Sequence, residues 1–116
     1  LNENAKVFAA WALLPEINHH LMEGLLFPSA IKKDLVLVFF ESVVDEPKIR
    51  KRFILTREVA KKRGVEAISY MLQEKTPLGQ SFELLVLGSY ASFYLAMIYG
   101  LDPTPIPMVD WFKKNM

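Results

Sequence analysis

One acidic side chain near the start of the chain is placed where a proton-transferring base could act. Residues 3–14 carry a pattern that predicts a helix, with Asn2 or Asn4 near its cap and Pro15 ending it. The apolar residues that share a helix face with Glu3 are Val7, Ala10, Trp11 and Leu14. If that face packs inward, burial raises the pKa of the Glu3 carboxyl and suits it to take a proton from carbon and return it. The alternative is a first-turn carboxylate that only interacts with the helix dipole.

Two adjacent histidines, His19 and His20, follow this predicted helix. Adjacent histidines can be structural, with one facing solvent and the other half-buried with its ring nitrogen satisfied. The four-residue spacings Glu16 to His20 and His19 to Glu23 would suit a metal, but the chain has no cysteine and only two histidines. The other use is a neutral histidine that hydrogen-bonds an oxygen of a substrate, which composition alone does not show.

The third group of candidate residues is the C-terminal pair Lys113 and Lys114. Asp110 precedes Lys114 by four positions, a spacing that predicts a solvated ion pair on a helix. Lys113 follows Val109 by four positions and therefore leans toward the apolar face of the helix. A charged group in apolar surroundings costs free energy, so this position suggests a function for Lys113. The alternative is that its apolar stem covers that face while the ammonium reaches water.

Composition limits the class of protein that could use these groups. The 116 residues suggest one domain, and 52% are hydrophobic and 23% charged, so the chain can bury a core. A net charge of +1 gives no broad basic field for nucleic acid. The absence of cysteine excludes a disulfide scaffold and thiolate chemistry and fits a cytoplasmic location. No signal peptide, Gly-rich phosphate loop or G-x-S-x-G motif is present in these residues.

The elements that must position the candidate residues alternate between helix and strand. Residues 16–33 are expected to be irregular or briefly helical. The two predicted strands are "DLVLVFFE" and "VEAISYML", and the three later helices follow Pro47, Pro77 and Pro107, the first of them ending at Gly64. Strands separated by helices predict a βαβ unit and a parallel sheet. Two parallel strands do not make a stable sheet alone, so the rest of the sheet is expected elsewhere in the protein.

One uncharged stretch needs a comparison with a membrane span. "LLVLGSYASFYLAMIYGL" reaches the lower length limit of a spanning helix. Its serines and tyrosines favour a helix of a core or an interface instead. The small residues Gly88, Ser89, Ala91 and Ser92 would allow close packing against the sheet or against another subunit, and the sequence leaves both open.

Taken together, three stretches of the chain resemble a known family. They are "NENAK", then "PEINHH" followed by two residues and "EG", and finally "YGLDPTPIPMVDWFKK". This set resembles the C-terminal half of the bifunctional phosphoglucose/phosphomannose isomerases of the sugar isomerase (SIS) superfamily. The resemblance implies an α/β fold, with residues 1–116 as a partial C-terminal SIS subdomain that lacks its first strands. It also implies interconversion of glucose 6-phosphate and mannose 6-phosphate with fructose 6-phosphate, without a metal or organic cofactor.

The resemblance assigns roles to the candidate residues. It places the catalytic glutamate at Glu3, which carries a proton between C1 and C2 through an enediol. It places the ring-opening histidine at His19, with His20 where the family usually has asparagine. The C-terminal lysine falls on Lys113 or Lys114, and the expected ion pair of Lys114 favours Lys113. The motif neighbours Asn2, Asn18 and His20 are the implied substrate-binding residues.

The resemblance also implies partners for this chain. The active site is shared between the subunits of a homodimer, and the phosphate-binding serines and threonines belong to an N-terminal subdomain that the chain does not include. The chain is therefore expected to be inactive in isolation and to bind neither nucleic acid nor a membrane. The alternative is a non-catalytic SIS-like module that binds sugar phosphates or serves assembly.

Overall fold

Two compact units make up the chain in a computed structural model that describes residues 1–116. One unit consists of Trp11–Ser81, and the other combines Leu1–Ala10 with Phe82–Met116. The elements in chain order are α1 (Ile17–Gly24), α2 (Ile31–Asp34), β1 (Val36–Glu41), α3 (Pro47–Arg63), β2 (Glu66–Met71), α4 (Pro77–Ile98) and α5 (Pro107–Lys114). Apart from the segment before α1, these are the helices and strands that the sequence predicts.

The sheet consists of β1 and β2, which pair in parallel from Val36 opposite Glu66 to Glu41 opposite Met71. This confirms the predicted βαβ unit and the α/β fold class. Side chains alternate along β1, so that Phe39 is buried and meets the ring of Phe53 on α3 edge to face, with centroids 6.1 Å apart. The opposite face of β1 carries Val36, Val38 and Phe40, which are about half exposed. One face of the sheet is therefore covered by α3, and the other is left largely open.

Helix α3 begins and ends with residues that define its limits. Pro47 occupies its first turn, where a missing N–H costs nothing because that group would have no helical partner. Gly64 follows its last turn with φ 75°, and its N–H and that of Val65 donate to Lys61 O and Ala60 O at 3.1 and 3.0 Å. This left-handed turn satisfies carbonyls that the helix leaves unpaired, and it leads directly into β2.

The core of the sheet unit lies at the end of α3. Leu25, Ala60 and Val65 are its buried members, and the partly buried side chains of Ile31, Leu35, Leu37 and Ala67 pack against them. Leu25 comes from the segment after α1, so this cluster fixes α1 and α2 beside the βαβ unit. This apolar cluster therefore packs residues 16–33 against α3 and the sheet, although these residues form only two short helices.

Buried polar contacts fix the carboxyl end of β1. The carboxylate of Glu41 accepts from the guanidinium of Arg57, which also donates to Ser69 Oγ on β2 at 3.1 Å. The next residue, Ser42, is buried, and its hydroxyl pairs with the amide of buried Gln80 at 2.8 and 3.0 Å. Buried polar groups cost free energy unless they are paired, so these contacts specify how β1, β2 and α3 fit together.

We expect Arg57→Ala to destabilise the sheet unit far more than Arg63→Ala does. Removing Arg57 leaves a carboxylate whose side chain is only 10% exposed, whereas Arg63 pairs with Glu23, whose side chain is 86% exposed. Because Arg57 is itself partly solvated, the loss should be about 1–3 kcal/mol in the free energy of unfolding. The exposed pair should contribute less than about 1 kcal/mol. Urea denaturation of both variants measures the difference, and equal losses would contradict this account of Glu41.

Candidate active site

The segment that carries Glu3 is not the predicted helix over residues 3–14, and that prediction was wrong. One helical turn forms, in which Ala5 N donates to Leu1 O at 3.0 Å, and Lys6 then adopts φ 55°. A right-handed helix cannot pass through a left-handed residue, so the chain leaves the turn and continues without regular structure to Leu13. The two largest apolar side chains of this stretch are not packed in a core, with Phe8 90% and Trp11 83% exposed. Packing that would have stabilised a helix is therefore missing.

The loop around Glu3 is held by side-chain bonds in place of a helical ladder. The Asn2 amide donates to Ala9 O at 2.7 Å, and its Oδ1 accepts from Ala9 N at 2.9 Å. This pair imitates a backbone bridge and closes the segment between the two residues, as asparagine often does in competition with helix formation. Ala5 is fully buried between these points. The loop thus has a defined conformation at both ends.

Glu3 itself is exposed in this structure, which corrects the expectation that it packs on the apolar face of a helix. Its backbone carbonyl accepts a hydrogen bond from Lys6 Nζ at 2.5 Å, and its carboxylate makes no hydrogen bond within the chain. The physical reason is the loop just described, because only a helix would have aligned Glu3 with Val7 and Trp11. The carboxylate is free to meet a ligand or another part of the protein.

The histidines lie on α1, which is anchored to α3 by its first residues. Ile17 is buried, and the amide of Asn18 donates to Thr56 Oγ1 at 2.8 Å while its Oδ1 accepts from Arg52 at 3.3 Å. His19 and His20 come next and are both exposed. Anchoring through Ile17 and Asn18 therefore fixes the helix and leaves both imidazoles on the surface.

The metal-like spacings around the histidines do not produce a cluster of ligands. Glu16, His20, His19 and Glu23 occupy the predicted positions, but no group of three histidine, aspartate or glutamate side chains in the chain could hold a metal ion. Glu23 instead pairs with Arg63 of α3 at 3.0 Å. That bond is a further link between α1 and α3.

Both lysines of α5 are exposed, and one expectation about them was wrong, because no ion pair joins Asp110 to Lys114. Helix α5 has no buried residue, and the placement of Lys113 toward the apolar face stays a prediction. The helix is short and presents Trp111 and Phe112 to solvent at 63% and 59% exposure. The ion-pair argument that separated Lys113 from Lys114 therefore no longer applies, and both lysines stay candidates.

The structure groups the candidate residues by element. Asn2 and Glu3 share the N-terminal loop, and the same compact unit contains Lys113 and Lys114 on α5. Asn18, His19 and His20 lie together on α1 of the other unit. Sequence reasoning missed Lys6, whose conformation and bonds shape the Glu3 loop, and Thr56, which anchors Asn18. A lysine after "NENA" gives no sequence signal of a left-handed residue, since such positions favour glycine or asparagine.

Two open depressions of about 460 Å³ each lie in the sheet unit, and neither is lined by a candidate residue. One adjoins the carboxyl end of β1, beside Ser42, Arg50 and Lys51, and the other adjoins Lys32 and Lys61. Both are lined by residues other than the candidates, which lie on exposed surfaces.

Helix α4 resembles a membrane-spanning helix in length and composition only. It is long and apolar enough to cross a membrane, with a mean hydropathy of 1.4 over its most apolar window, of which 11% is buried. One such helix is weak evidence of a membrane protein. Nothing lies within 4 Å of where a Cβ on Gly88 would be, so no close approach is made at this glycine within the chain, whereas Ser92 is buried.

Comparison with known families agrees with this fold. The bacterial phospho-glucose isomerase C-terminal SIS domain matches the chain over residues 1–116. The chain therefore belongs to this SIS domain family, and the resemblance found in the sequence is confirmed.

Individual relatives are named as phosphoglucose/phosphomannose isomerases. The chain is 28% identical to a bifunctional phosphoglucose/phosphomannose isomerase of Aquifex aeolicus, over 100% of this chain and 36% of the relative. It is 30% identical to the enzyme of that name from Caldicellulosiruptor bescii, over 98% of this chain and 34% of the relative. In Thermoplasma volcanium the corresponding identity is 27%, over 99% and 36%. The chain thus spans about a third of the length of these curated relatives. No solved structure matches it significantly.

Proposed function

We propose that this chain is the partial C-terminal SIS subdomain of an aldose–ketose isomerase that interconverts glucose 6-phosphate and mannose 6-phosphate with fructose 6-phosphate. The observation that carries the proposal is the family match over residues 1–116. Relatives named bifunctional phosphoglucose/phosphomannose isomerase add the substrate class. The exposed carboxylate on a held loop and the exposed imidazoles on α1 are chemically suited to it.

Glu3 is the proposed base. Its carboxylate removes the proton from C2 of the open-chain aldose phosphate, and the electron pair of that bond forms the C1=C2 double bond as O1 gains a proton. The resulting enediol then loses the proton of O2, the C2=O bond forms, and the Glu3 carboxylic acid returns its proton to C1. One carboxylate therefore serves as base and then as acid, and no electrons are gained or lost.

His19 is the proposed ring-opening group, supplied by the second copy of a homodimer. An imidazole can hold or release a proton at the ring oxygen near neutral pH. Lys113 or Lys114 is the proposed cation at the same oxygen. His19, Lys113 and Lys114 are all exposed in one copy of the chain. This exposure supports a site that is completed by a partner, because catalytic groups act more strongly when they are shielded from bulk water.

Asn2, Asn18 and His20 are proposed to bind sugar hydroxyls. An asparagine amide has two N–H donors and two acceptor lone pairs, and the bonds of Asn2 to Ala9 use one of each. One donor and one acceptor therefore remain for a substrate. Asn18 has one lone pair left on Oδ1 after its bond from Arg52. Asn2 can thus stabilise the N-terminal loop, and Asn18 can anchor α1 to α3, while each still contacts a ligand.

The remaining parts of the proposed enzyme lie beyond these residues. The chain covers about a third of its relatives, and we propose that an N-terminal SIS subdomain holds the substrate phosphate. Large apolar side chains exposed on β1 and α4 support a subdomain or subunit packed against them. We propose a cytoplasmic homodimer that needs no metal or organic cofactor and binds neither nucleic acid nor a membrane.

The activity is tested on the protein as its complete gene encodes it. Glucose 6-phosphate and mannose 6-phosphate are each supplied, and fructose 6-phosphate is measured with a coupled assay, alongside unphosphorylated glucose as the control substrate. Turnover of both phosphates supports the proposal, and turnover of only one narrows the substrate. Binding of both by calorimetry without turnover would favour the non-catalytic SIS-like module instead.

We expect the 116-residue chain alone to show no isomerase activity. The groups proposed to bind the phosphate are not on it, and remote binding energy is needed to hold the sugar against Glu3. The measurement is the same coupled assay with the isolated chain at a concentration matched to the complete protein. Ordinary isomerase rates from the isolated chain would refute both the missing phosphate site and the need for a second subdomain.

A further inference from the structure

Lys6 has an unusual backbone conformation for its residue type. Its φ of 55° lies in the left-handed region, and no other residue of the chain except Gly64 and Gly100 has a positive φ. A side chain beginning at Cβ makes this conformation unfavourable, so it persists only where surrounding contacts stabilise it. The contacts that Lys6 makes are therefore informative.

The ammonium group of Lys6 binds two backbone carbonyls that are far apart in sequence. Lys6 Nζ lies 2.5 Å from Glu3 O and 3.2 Å from Pro103 O. Hydrogen bonds from a charged donor are stronger than those between neutral groups. The first bond folds the side chain back over the peptide of Glu3, and the second joins the N-terminal loop to the segment that follows α4.

The Pro103 segment leads to the helix with the candidate lysines. Asp102 Oδ1 accepts from Thr104 N at 2.9 Å, which fixes a turn just before α5. Helix α5 begins at Pro107 and carries Lys113 and Lys114 in its last turn. A contact at Pro103 therefore places the Glu3 loop relative to the start of the lysine-bearing helix, within one compact unit.

We infer that Lys6 is a positioning residue, which holds the Glu3 loop against the segment leading to α5 and so orients the Glu3 carboxylate for proton transfer. This inference rests on the proposed function, because it gives Glu3 the part of the base. Lys6 touches the backbone of Glu3 rather than the reacting atoms. The bonds of Asn2 to Ala9 close the ends of the loop, whereas Lys6 is the side chain that binds the Glu3 peptide itself.

The test uses Lys6→Gly in the protein as its complete gene encodes it. Glycine accepts a positive φ without strain, so this variant keeps the backbone conformation while removing the ammonium. The control is Lys62→Met, which removes an exposed ammonium group from α3. Glycine is not used at Lys62 because it weakens a helix, and Lys6→Met is therefore added as the variant that matches this control. Steady-state kinetics, thermal unfolding and added ethylamine are compared for each.

We expect kcat for glucose 6-phosphate to fall by about 10- to 100-fold in both Lys6 variants, because a misplacement near 1 Å has effects of this size. KM should change by less than about threefold, because the phosphate is held elsewhere. Ethylamine should restore part of kcat in Lys6→Gly, where it can occupy the space of the ammonium, and should leave Lys62→Met unchanged. Partial recovery by the amine is a result that a merely structural role would not give.

Two results would overturn the inference. One is a kcat within about twofold of the parent protein in Lys6→Gly. The other is a loss that ethylamine does not reverse and that accompanies a lowered unfolding temperature, which would make Lys6 a stability residue. Failure of the proposed function is a separate result, because it would show as no turnover of either sugar phosphate by the parent protein. Failure of Glu3 as the base would show as full activity of Glu3→Gln, whatever the Lys6 variants do.

Discussion

Glu3→Gln in the complete protein should lower kcat for glucose 6-phosphate isomerisation by about 10²- to 10⁴-fold, the range typical of removing a general base. Glutamine has nearly the shape of glutamate and keeps the exposed position on the loop, but its amide cannot accept a proton from carbon. KM should change little, because binding the sugar phosphate does not require the carboxylate charge. The coupled assay measures both quantities.

A control for the Glu3 experiment is available on α3. Glu58 is an exposed carboxylate with no ion pair in the structure, so Glu58→Gln changes the net charge equally without touching the proposed site. It should keep the parent kcat. Unchanged turnover in Glu3→Gln would eliminate Glu3 as the base, and an equal loss in Glu58→Gln would point to net charge instead.

His19→Gln should lower kcat by about 10²-fold, because glutamine can hydrogen-bond a ring oxygen but cannot exchange its proton near neutral pH. His20→Gln should have a smaller effect, since it removes only a proposed binding contact. The two residues are adjacent on α1 and both exposed, which makes them a matched pair. A larger loss in His20→Gln would reverse the assignment of the ring-opening group.

A site shared between two copies leads to a further prediction about the Glu3→Gln and His19→Gln variants. If Glu3 and His19 of one site come from different copies, a dimer of one Glu3→Gln chain and one His19→Gln chain contains one intact site. Subunit exchange in an equal mixture should then restore about a quarter of the parent activity, because half of the dimers are mixed and half of their sites are intact. No recovery after demonstrated exchange would place both residues of a site on one copy.

Local sequence signals predicted most of the elements in this fold. The apolar run in "DLVLVFFE", the proline at the start of α3 and Gly64 at its end are short-range features, and each has the conformation that its residue types favour. The parallel pairing of β1 and β2 followed from the helix between them. These features need no knowledge of distant contacts.

The predictions that were wrong depend on contacts that a pattern does not contain. The helix over residues 3–14 was predicted from one apolar stripe, but Trp11 of that stripe is exposed, and Asn2 bonds Ala9 instead of helical partners. The ion pair of Asp110 and Lys114 has the right spacing and does not form, in keeping with the small free energy of exposed pairs. The bonds of Lys6 to Pro103 and of Ser42 to Gln80 join residues distant in sequence.

The sequence proposes the candidate site as a set of residues but does not give its geometry. "NENAK" and "PEINHH" identified Glu3 and His19 through resemblance, and the structure adds that Glu3 lies on a held loop and His19 on an anchored helix. The exposure of both is a property of one copy of this chain. A single sequence does not show which surfaces a second copy covers.

Solvent deuterium tests the central claim most directly, namely that Glu3 carries the proton between the two sugar carbons. Glucose 6-phosphate is converted by the complete protein in D₂O, and deuterium at C1 of the fructose 6-phosphate is followed by NMR. Because a carboxylic acid can exchange its proton with solvent during the lifetime of the enediol, we expect deuterium at C1 with the parent protein. With Glu3→Gln we expect both product formation and deuterium entry at C2 of recovered glucose 6-phosphate to slow by about 10²- to 10⁴-fold. Deuterium entering C2 at the parent rate in Glu3→Gln would show that another group removes the proton, and the account would be wrong.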